Sequence, residues 1–139
     1  MRINFTPTIR QQLEDQFLVA VPAGKRFTTM NARAETIGQL PAYKQAWRQP
    51  YLCLIPMQAF HEPCLETGKA VRMHIEMATG EPFAVAGIWR GWQAQDGSTS
   101  YSFTQITINA DHHALMKRMY KPGEEKRSLV TIPRDQYHA

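Results

Sequence analysis

The clearest pattern in the chain is the alternation from Val71 to Met77. Val71, Met73, Ile75 and Met77 point one way, and Arg72, His74 and Glu76 the other. Period-two alternation predicts a half-buried strand. Thr79-Gly80 then predicts a turn, and Phe83 to Trp89 returns as a nearly continuous apolar strand. Asp96-Gly97 predicts a second turn, after which Tyr101 to Ile108 alternates again. Two shorter apolar runs, Tyr51 to Ile55 and Leu129 to Ile132, also read as strands. Phe17 to Val21 is a further strand candidate, stopped by Pro22 and Gly24.

Helix signals are weaker. Thr6-Pro7 predicts a start, followed by a sparse stripe of Ile9, Leu13 and Phe17. Leu40-Pro41 opens a second helix, with Tyr43, Ala46 and Trp47 on one face and Pro50 ending it. Asp111 is read as the cap of a third, running to about Tyr120, and Pro133 as the start of a terminal one. The expected class is α+β: one mostly antiparallel, β-rich sheet or partly closed barrel with three or four short helices. No repeat or long linker divides residues 1–139, so one domain is expected.

Two polar features interrupt this pattern. Asn31-Ala32-Arg33-Ala34-Glu35-Thr36 places an amide, a cation, a carboxylate and a hydroxyl within six positions. Such a run either solvates a loop or forms a network of partners around a site, because unpartnered polar groups are costly to bury. Glu62 follows the largely apolar approach of Phe60-His61 and precedes Pro63. A carboxylate there either pairs structurally with an arginine or has a raised pKa suited to acid/base work.

Composition narrows the class. Hydrophobic residues make up 43% and charged residues 20%, ordinary values for a globular protein. No apolar run approaches the ~20 residues of a membrane helix, and Met1 to Phe5 lacks the apolar core of a secretory signal. A cytoplasmic protein is therefore expected. A net charge of +4 is compatible with a polyanionic partner, although the basic residues are scattered. The two cysteines are too few for a disulfide framework. Cys53 reads as a buried small hydrophobe, and Cys64, after Pro63, as the more exposed thiol.

Candidate chemistry is sparse. His61 to Cys64 and His112-His113 lack the ligand spacing of a zinc site, so no metal and no cofactor are expected. No nucleophile elbow, phosphate loop or dinucleotide fingerprint is present. Trp89, Trp92, Tyr101 and Phe103 supply flat apolar faces on adjacent strands. They either pack a core or form a stacking platform for unpaired bases, flanked by Arg90 and Arg33.

In order, these pieces resemble the SOS response-associated peptidase (SRAP) family. The matching stretches are Asn31 to Thr36, Cys53-Leu54-Ile55-Pro56 leading to Phe60-His61-Glu62, Phe83 to Trp89, and Ser102 to Thr107. They cover roughly residues 30 to 137. Glu62-Pro63 and Lys121 to Arg127 resemble the family's phage-related branch. The resemblance implies a β-rich domain with a central groove for single-stranded DNA. It also implies chemistry at abasic sites in the SOS response to DNA damage. There an N-terminal cysteine captures the lesion's aldehyde as a thiazolidine, forming a DNA–protein crosslink. Carried over by position, Asn31 and Glu62 match the catalytic asparagine and glutamate. Arg33 matches a phosphate-binding arginine, and Thr107 lies at the strand end lining the groove. Arg118 and Arg127 are the alternative positions for a second phosphate arginine, with Arg127 fitting the final strand better. Trp89 joins them as a DNA-binding candidate.

The chain also departs from the family pattern. Residue 2 is Arg2 where the family carries its cysteine, and the strand block that normally precedes the asparagine is largely absent. The family histidine falls on Met116 or Glu125, depending on register, and phage-like relatives place a histidine at the position of Tyr120. The expected function is single-stranded or abasic DNA binding by a SRAP-like domain incomplete at its N-terminus, without the covalent step. Two alternatives remain. One is a fragment of a complete SRAP enzyme. The other is a non-enzymatic phage accessory domain, whose exposed apolar surface would favour a homodimer.

Overall fold

The computed structural model describes residues 29–138. The helix expected from Thr6 and the strand expected at Phe17 to Val21 lie outside them. Eight strands are present: β1 (Asn31–Arg33), β2 (Leu52–Met57), β3 (Ala59–Cys64), β4 (Val71–Glu76), β5 (Phe83–Gln93), β6 (Thr99–Asn109), β7 (Arg127–Leu129) and β8 (Thr131–Ile132). One α-helix, α1 (Lys44–Arg48), and two 3-10 turns, Met116–Arg118 and Arg134–Gln136, complete the regular elements among the described residues.

The central sheet runs β1-β6-β5-β2 and is antiparallel, except that β1 lies parallel to β6. Where β5 and β6 diverge, the terminal segment enters between them. Its β7 pairs with β6 from Thr107 to Asn109, and its β8 pairs with β5 at Ala84 and Val85. Strands β3 and β4 form a separate hairpin, with Glu62 opposite Met73.

Alternation along these strands gives the sheet two chemically different faces. One carries Ala32, Ile88 and Ile106. Residues 34–50 fold over it, adding buried Ile37, Tyr43 and Ala46 to a single cluster. The register places Asn31, Gln105 and Gly87 side by side on the other face, with Arg33 beside Thr107. Gly87 is required there, because a Cβ would lie 2.5 Å from Ile55 Cδ1 and 2.9 Å from the Thr104 carbonyl oxygen. At one end of this second face, Phe83, Val85 and Leu129 form a core against which Phe60 of the hairpin packs.

Among the described residues, the three helices expected after Leu40, Asp111 and Pro133 are shorter than the sequence predicts. The second contracts to α1 after a series of turns. Between Asp111 and Tyr120 there is only the 3-10 turn. Asp111 is not its cap, because its carboxylate accepts the Lys126 N–H at 2.8 Å. His113 Nδ1 caps instead, accepting from the N–H groups of Leu115 and Met116 at 3.2 and 3.1 Å. After Pro133 there is again a single 3-10 turn.

Two burial expectations also change. Strand β4 forms as the alternation predicts, but its apolar face stays largely open, with Val71, Met73 and Met77 exposed and Ile75 half-buried. The cysteines exchange roles: Cys53 is half-buried and Cys64 is buried. Pro63 does not make a loop. It lies within β3, and the strand carries Cys64 into a cluster with Ala110, Met116 and Met119, where its thiol donates to the Arg118 carbonyl at 3.3 Å.

Candidate functional site

The polar run at Asn31 becomes β1, a short strand with Ala32 facing the core and Asn31 and Arg33 facing out. Its parallel pairing sets Asn31 beside Gln105 and Arg33 beside Thr107. The β3 strand supplies His61 and Glu62, and β7 supplies Arg127. Together with Tyr120 these residues line an open cleft of about 400 Å³.

Arg127 organises one wall. Its side chain is only 13% exposed and meets two carboxylates. Nη1 and Nη2 donate to the two oxygens of Glu35 at 3.0 and 2.9 Å, the bidentate arrangement that suits a planar guanidinium. Nη1 also reaches Glu125 at 2.9 Å, and Nη2 the Thr107 carbonyl at 2.8 Å. Arg33 Nη1 donates to the other oxygen of Glu125 at 2.7 Å. The hydrogen bond from Arg127 is the main force pulling the Glu35 carboxyl down to about 2. The same guanidinium's bond to Glu125 is the first cause of that carboxyl's lowered pKa. Of the two readings of Asn31 to Thr36, the partner network is the one that forms.

The opposite wall is less compensated. Glu62 is half-buried, and burial raises its carboxyl above the usual range, an effect that the nearby Tyr120 side chain opposes. His61 Nε2 lies 3.2 Å from His74 Nδ1, and His74 Nε2 lies 3.1 Å from Glu76. Burial and the nearby Arg72 and His74 lower the pKa of His61. Among the described residues, no group of three His, Cys, Asp or Glu could hold a metal ion.

The cleft thus brings together Asn31, Arg33, Glu62, Thr107 and Arg127. Arg118 lies elsewhere, with Nε and Nη2 donating to the two oxygens of exposed Glu66 at 3.0 and 2.9 Å. Trp89 is outside the cleft lining but on the same sheet face. It lies 5.0 Å from the Tyr51 ring and 5.9 Å from that of Tyr101. Trp92 and Arg90 lie on the other face, with Arg90 4.0 Å above the Trp92 ring, so Arg90 does not flank this row. Sequence reasoning gave no role to Gln105, although it shares the period-two face of Thr107. It also missed Glu35 as the partner of Arg127, because nothing local signals a contact across 92 positions.

The fold and site define a small β-rich α+β domain whose open cleft is lined by two guanidinium groups and a half-buried carboxylate. The comparisons give the particular family. A model of the family described as SOS response associated peptidase (SRAP) matches residues 13–137, and the chain belongs to that family. It is 31% identical over 83 residues to the abasic site processing protein YobE of Bacillus subtilis, a match covering 59% of this chain and 37% of that protein. It is 32% identical over 85 residues to the abasic site processing protein YoqW of Bacillus phage SPbeta, covering 58% and 36%. The chain therefore matches little more than a third of the length of these relatives. A solved structure of a protein from Bordetella bronchiseptica superposes with a TM-score of 0.75 at 36% identity, covering 84% of this chain and 60% of that one. One from Bacteroides thetaiotaomicron, at 23% identity and a TM-score of 0.58, shares the fold over 78% of this chain and 45% of that one.

Proposed function

We propose that the cleft binds single-stranded DNA and receives an abasic site, as part of the response to DNA damage. The convergence of Asn31, Arg33, Glu62, Thr107 and Arg127 on one open cleft carries this reading. Arg33 and Arg127 would hold phosphates, while Asn31 and Glu62 would face the sugar that has lost its base. The Tyr51–Trp89–Tyr101 row continues along the same face and would stack neighbouring bases. The names of the matched relatives, all abasic site processing proteins, support the lesion.

Recognition is non-covalent in this proposal. Neither described thiol lines the cleft: Cys64 is buried and Cys53 has a thiol pKa raised by burial. Fluorescence anisotropy with intact and abasic oligonucleotides tests the reading. Binding should weaken steeply as salt rises, and its absence at low salt would overturn the function. A shifted band on a denaturing gel after incubation with abasic DNA would overturn the non-covalent step and favour a complete crosslinking enzyme.

A cytoplasmic setting and one domain over residues 1–139 are retained in the proposal. Among the described residues, no helix is long and apolar enough to cross a membrane. A homodimer is a second proposal, favoured by Leu52 and Leu54, which lie 57% and 40% exposed on β2 at the end of the central sheet's strand order. Light scattering that returned a monomer would remove it.

A further inference from the structure

Tyr120 is unusual in its backbone. Its φ of 61° is the only positive value at a non-glycine position among the described residues. A Cβ is crowded in that region, and residues held there against strain cluster at functional sites. The surroundings fix it in place. Its N–H donates to the Pro63 carbonyl, a parallel bridge ties it to Cys64 at the end of β3, and Met119 before it is fully buried. This conformation brings the phenol into the cleft lining together with Glu62, close enough for the two groups to shift each other's pKa.

We propose that Tyr120 is a positioning residue for Glu62: its hydroxyl donates to one carboxylate oxygen and leaves the other to accept from a hydroxyl of a base-less deoxyribose. This rests on the function proposed above and assigns a specificity role within it. The chemistry is complementary. A phenol donor favours the ionised carboxylate and opposes the effect of burial. An ionised carboxylate only accepts, so it selects a ligand that offers an O–H. The phenol itself has its pKa raised far above neutral by burial and by Glu62, so it remains a donor across the working range. Arg33, Arg127 and His61 are the other charged or titratable groups lining the cleft, and the two guanidinium groups, which only donate, do not compete for the phenol proton.

Two measurements decide the proposal. In the free protein, carbon-detected NMR should show the Glu62 titration midpoint moving upward in Tyr120→Phe. Tyr120→Asn, a residue type better tolerated at positive φ, should give the same upward shift without the backbone strain. A midpoint unchanged in both variants overturns the positioning role. In binding, the wild-type protein should prefer an oligonucleotide with a natural abasic site over one with a tetrahydrofuran analogue, which lacks the anomeric hydroxyl. Tyr120→Phe should lose that preference several-fold, read as the ratio of its affinities for the two abasic oligonucleotides. A retained preference overturns the specificity role. Failure of wild-type protein to bind any single strand would instead sink the proposed function, and the NMR midpoint would still decide whether Tyr120 positions Glu62.

Discussion

Arg33 and Glu125 meet at 2.7 Å across 92 positions of sequence, and the second oxygen of the same carboxylate lies 2.9 Å from Arg127. Glu125 thus sits between the two guanidinium groups proposed to bind phosphate. With Glu35 on the far side of Arg127, two cations and two carboxylates balance within the wall. The charges that would attract DNA are already partnered, so a phosphate must share these arginines or displace Glu125. The loop carrying Glu125 is anchored, since Lys126 Nζ donates to the Lys121 carbonyl at 2.6 Å and the Lys126 N–H to Asp111 at 2.8 Å. If phosphate binds at this wall, the carboxylate is its fixed competitor.

Replacing Glu125 with glutamine should therefore strengthen binding of single-stranded DNA. Arg33 is 57% exposed and would be freed, while Arg127 would keep Glu35 and its shape. Each additional phosphate held by a freed arginine should steepen the slope of log affinity against log salt by about 0.7. Anisotropy titrations between about 50 and 200 mM salt read this directly. Equal affinity and slope in the two proteins would show that Glu125 does not compete.

The two candidate arginines of the C-terminal region should behave differently. Arg127 gives bonds to Glu35, Glu125 and the Thr107 carbonyl from a side chain only 13% exposed. Lysine keeps the charge but loses the two-pronged geometry. Arg127→Lys should cost about 1–3 kcal/mol of stability and weaken DNA binding. Arg118 pairs with Glu66 at the surface, so Arg118→Ala should leave stability almost unchanged. It should leave DNA affinity nearly unchanged. Urea unfolding and anisotropy on the same variants check both statements.

That contrast also marks what the sequence makes legible. Strands β4, β5 and β6 follow from period-two alternation and from turns that need a positive φ at Gly80 and Gly97. The alternation finds the strands without saying which face is covered. The apolar face of β4 is mostly exposed, while Ala32, with one methyl group, is 1% exposed. Strands β1 and β3 give no strand signal of their own, one being polar and the other containing Pro63. They form because β6 and β4 offer partners in space. The helix expected from Asp111 fails for a similar reason, since the aspartate is taken by Lys126 from a later part of the chain. At the cleft, family resemblance placed Asn31, Arg33 and Glu62. Glu35 and Tyr120 depend on long-range pairing and a single left-handed residue, which no local pattern announces.

Acid should expose the wall's contribution to stability. The Glu35 carboxyl is lowered from 4.5 to about 2, chiefly by the hydrogen bond from Arg127. A carboxyl with a depressed folded-state pKa stabilises the fold above its unfolded value and loses that contribution as pH falls toward the folded one. The urea midpoint of the wild-type protein should therefore fall as pH drops from 4.5 toward 2, with Glu125, Glu66 and Asp111 shifted in the same direction. Glu35→Gln should start lower at neutral pH and fall less steeply. The difference is modest, because the Glu35 side chain is 49% exposed and screened by water. Parallel acid limbs in the two proteins would show that the bond to Arg127 adds nothing to stability.

The aromatic row offers a test that leaves the cleft untouched. Tyr101 is 65% exposed on the face that carries Asn31 and Gln105, and its ring lies 5.9 Å from Trp89. The rings of Tyr51, Trp89 and Tyr101 have centroids 5.0 and 5.9 Å apart in succession, a row along which an unpaired strand can lay successive bases. An exposed tyrosine adds little to the fold, so Tyr101→Ala should unfold at nearly the wild-type urea concentration. If a base stacks there, the substitution should cost about 1–3 kcal/mol of binding to single strands long enough to reach it. The loss should be independent of salt, because no phosphate-binding group is removed. A short oligonucleotide that fills only the cleft should bind both proteins equally. Equal affinity for long strands as well would confine DNA recognition to the cleft and leave Trp89 a packing residue between Tyr51 and Tyr101.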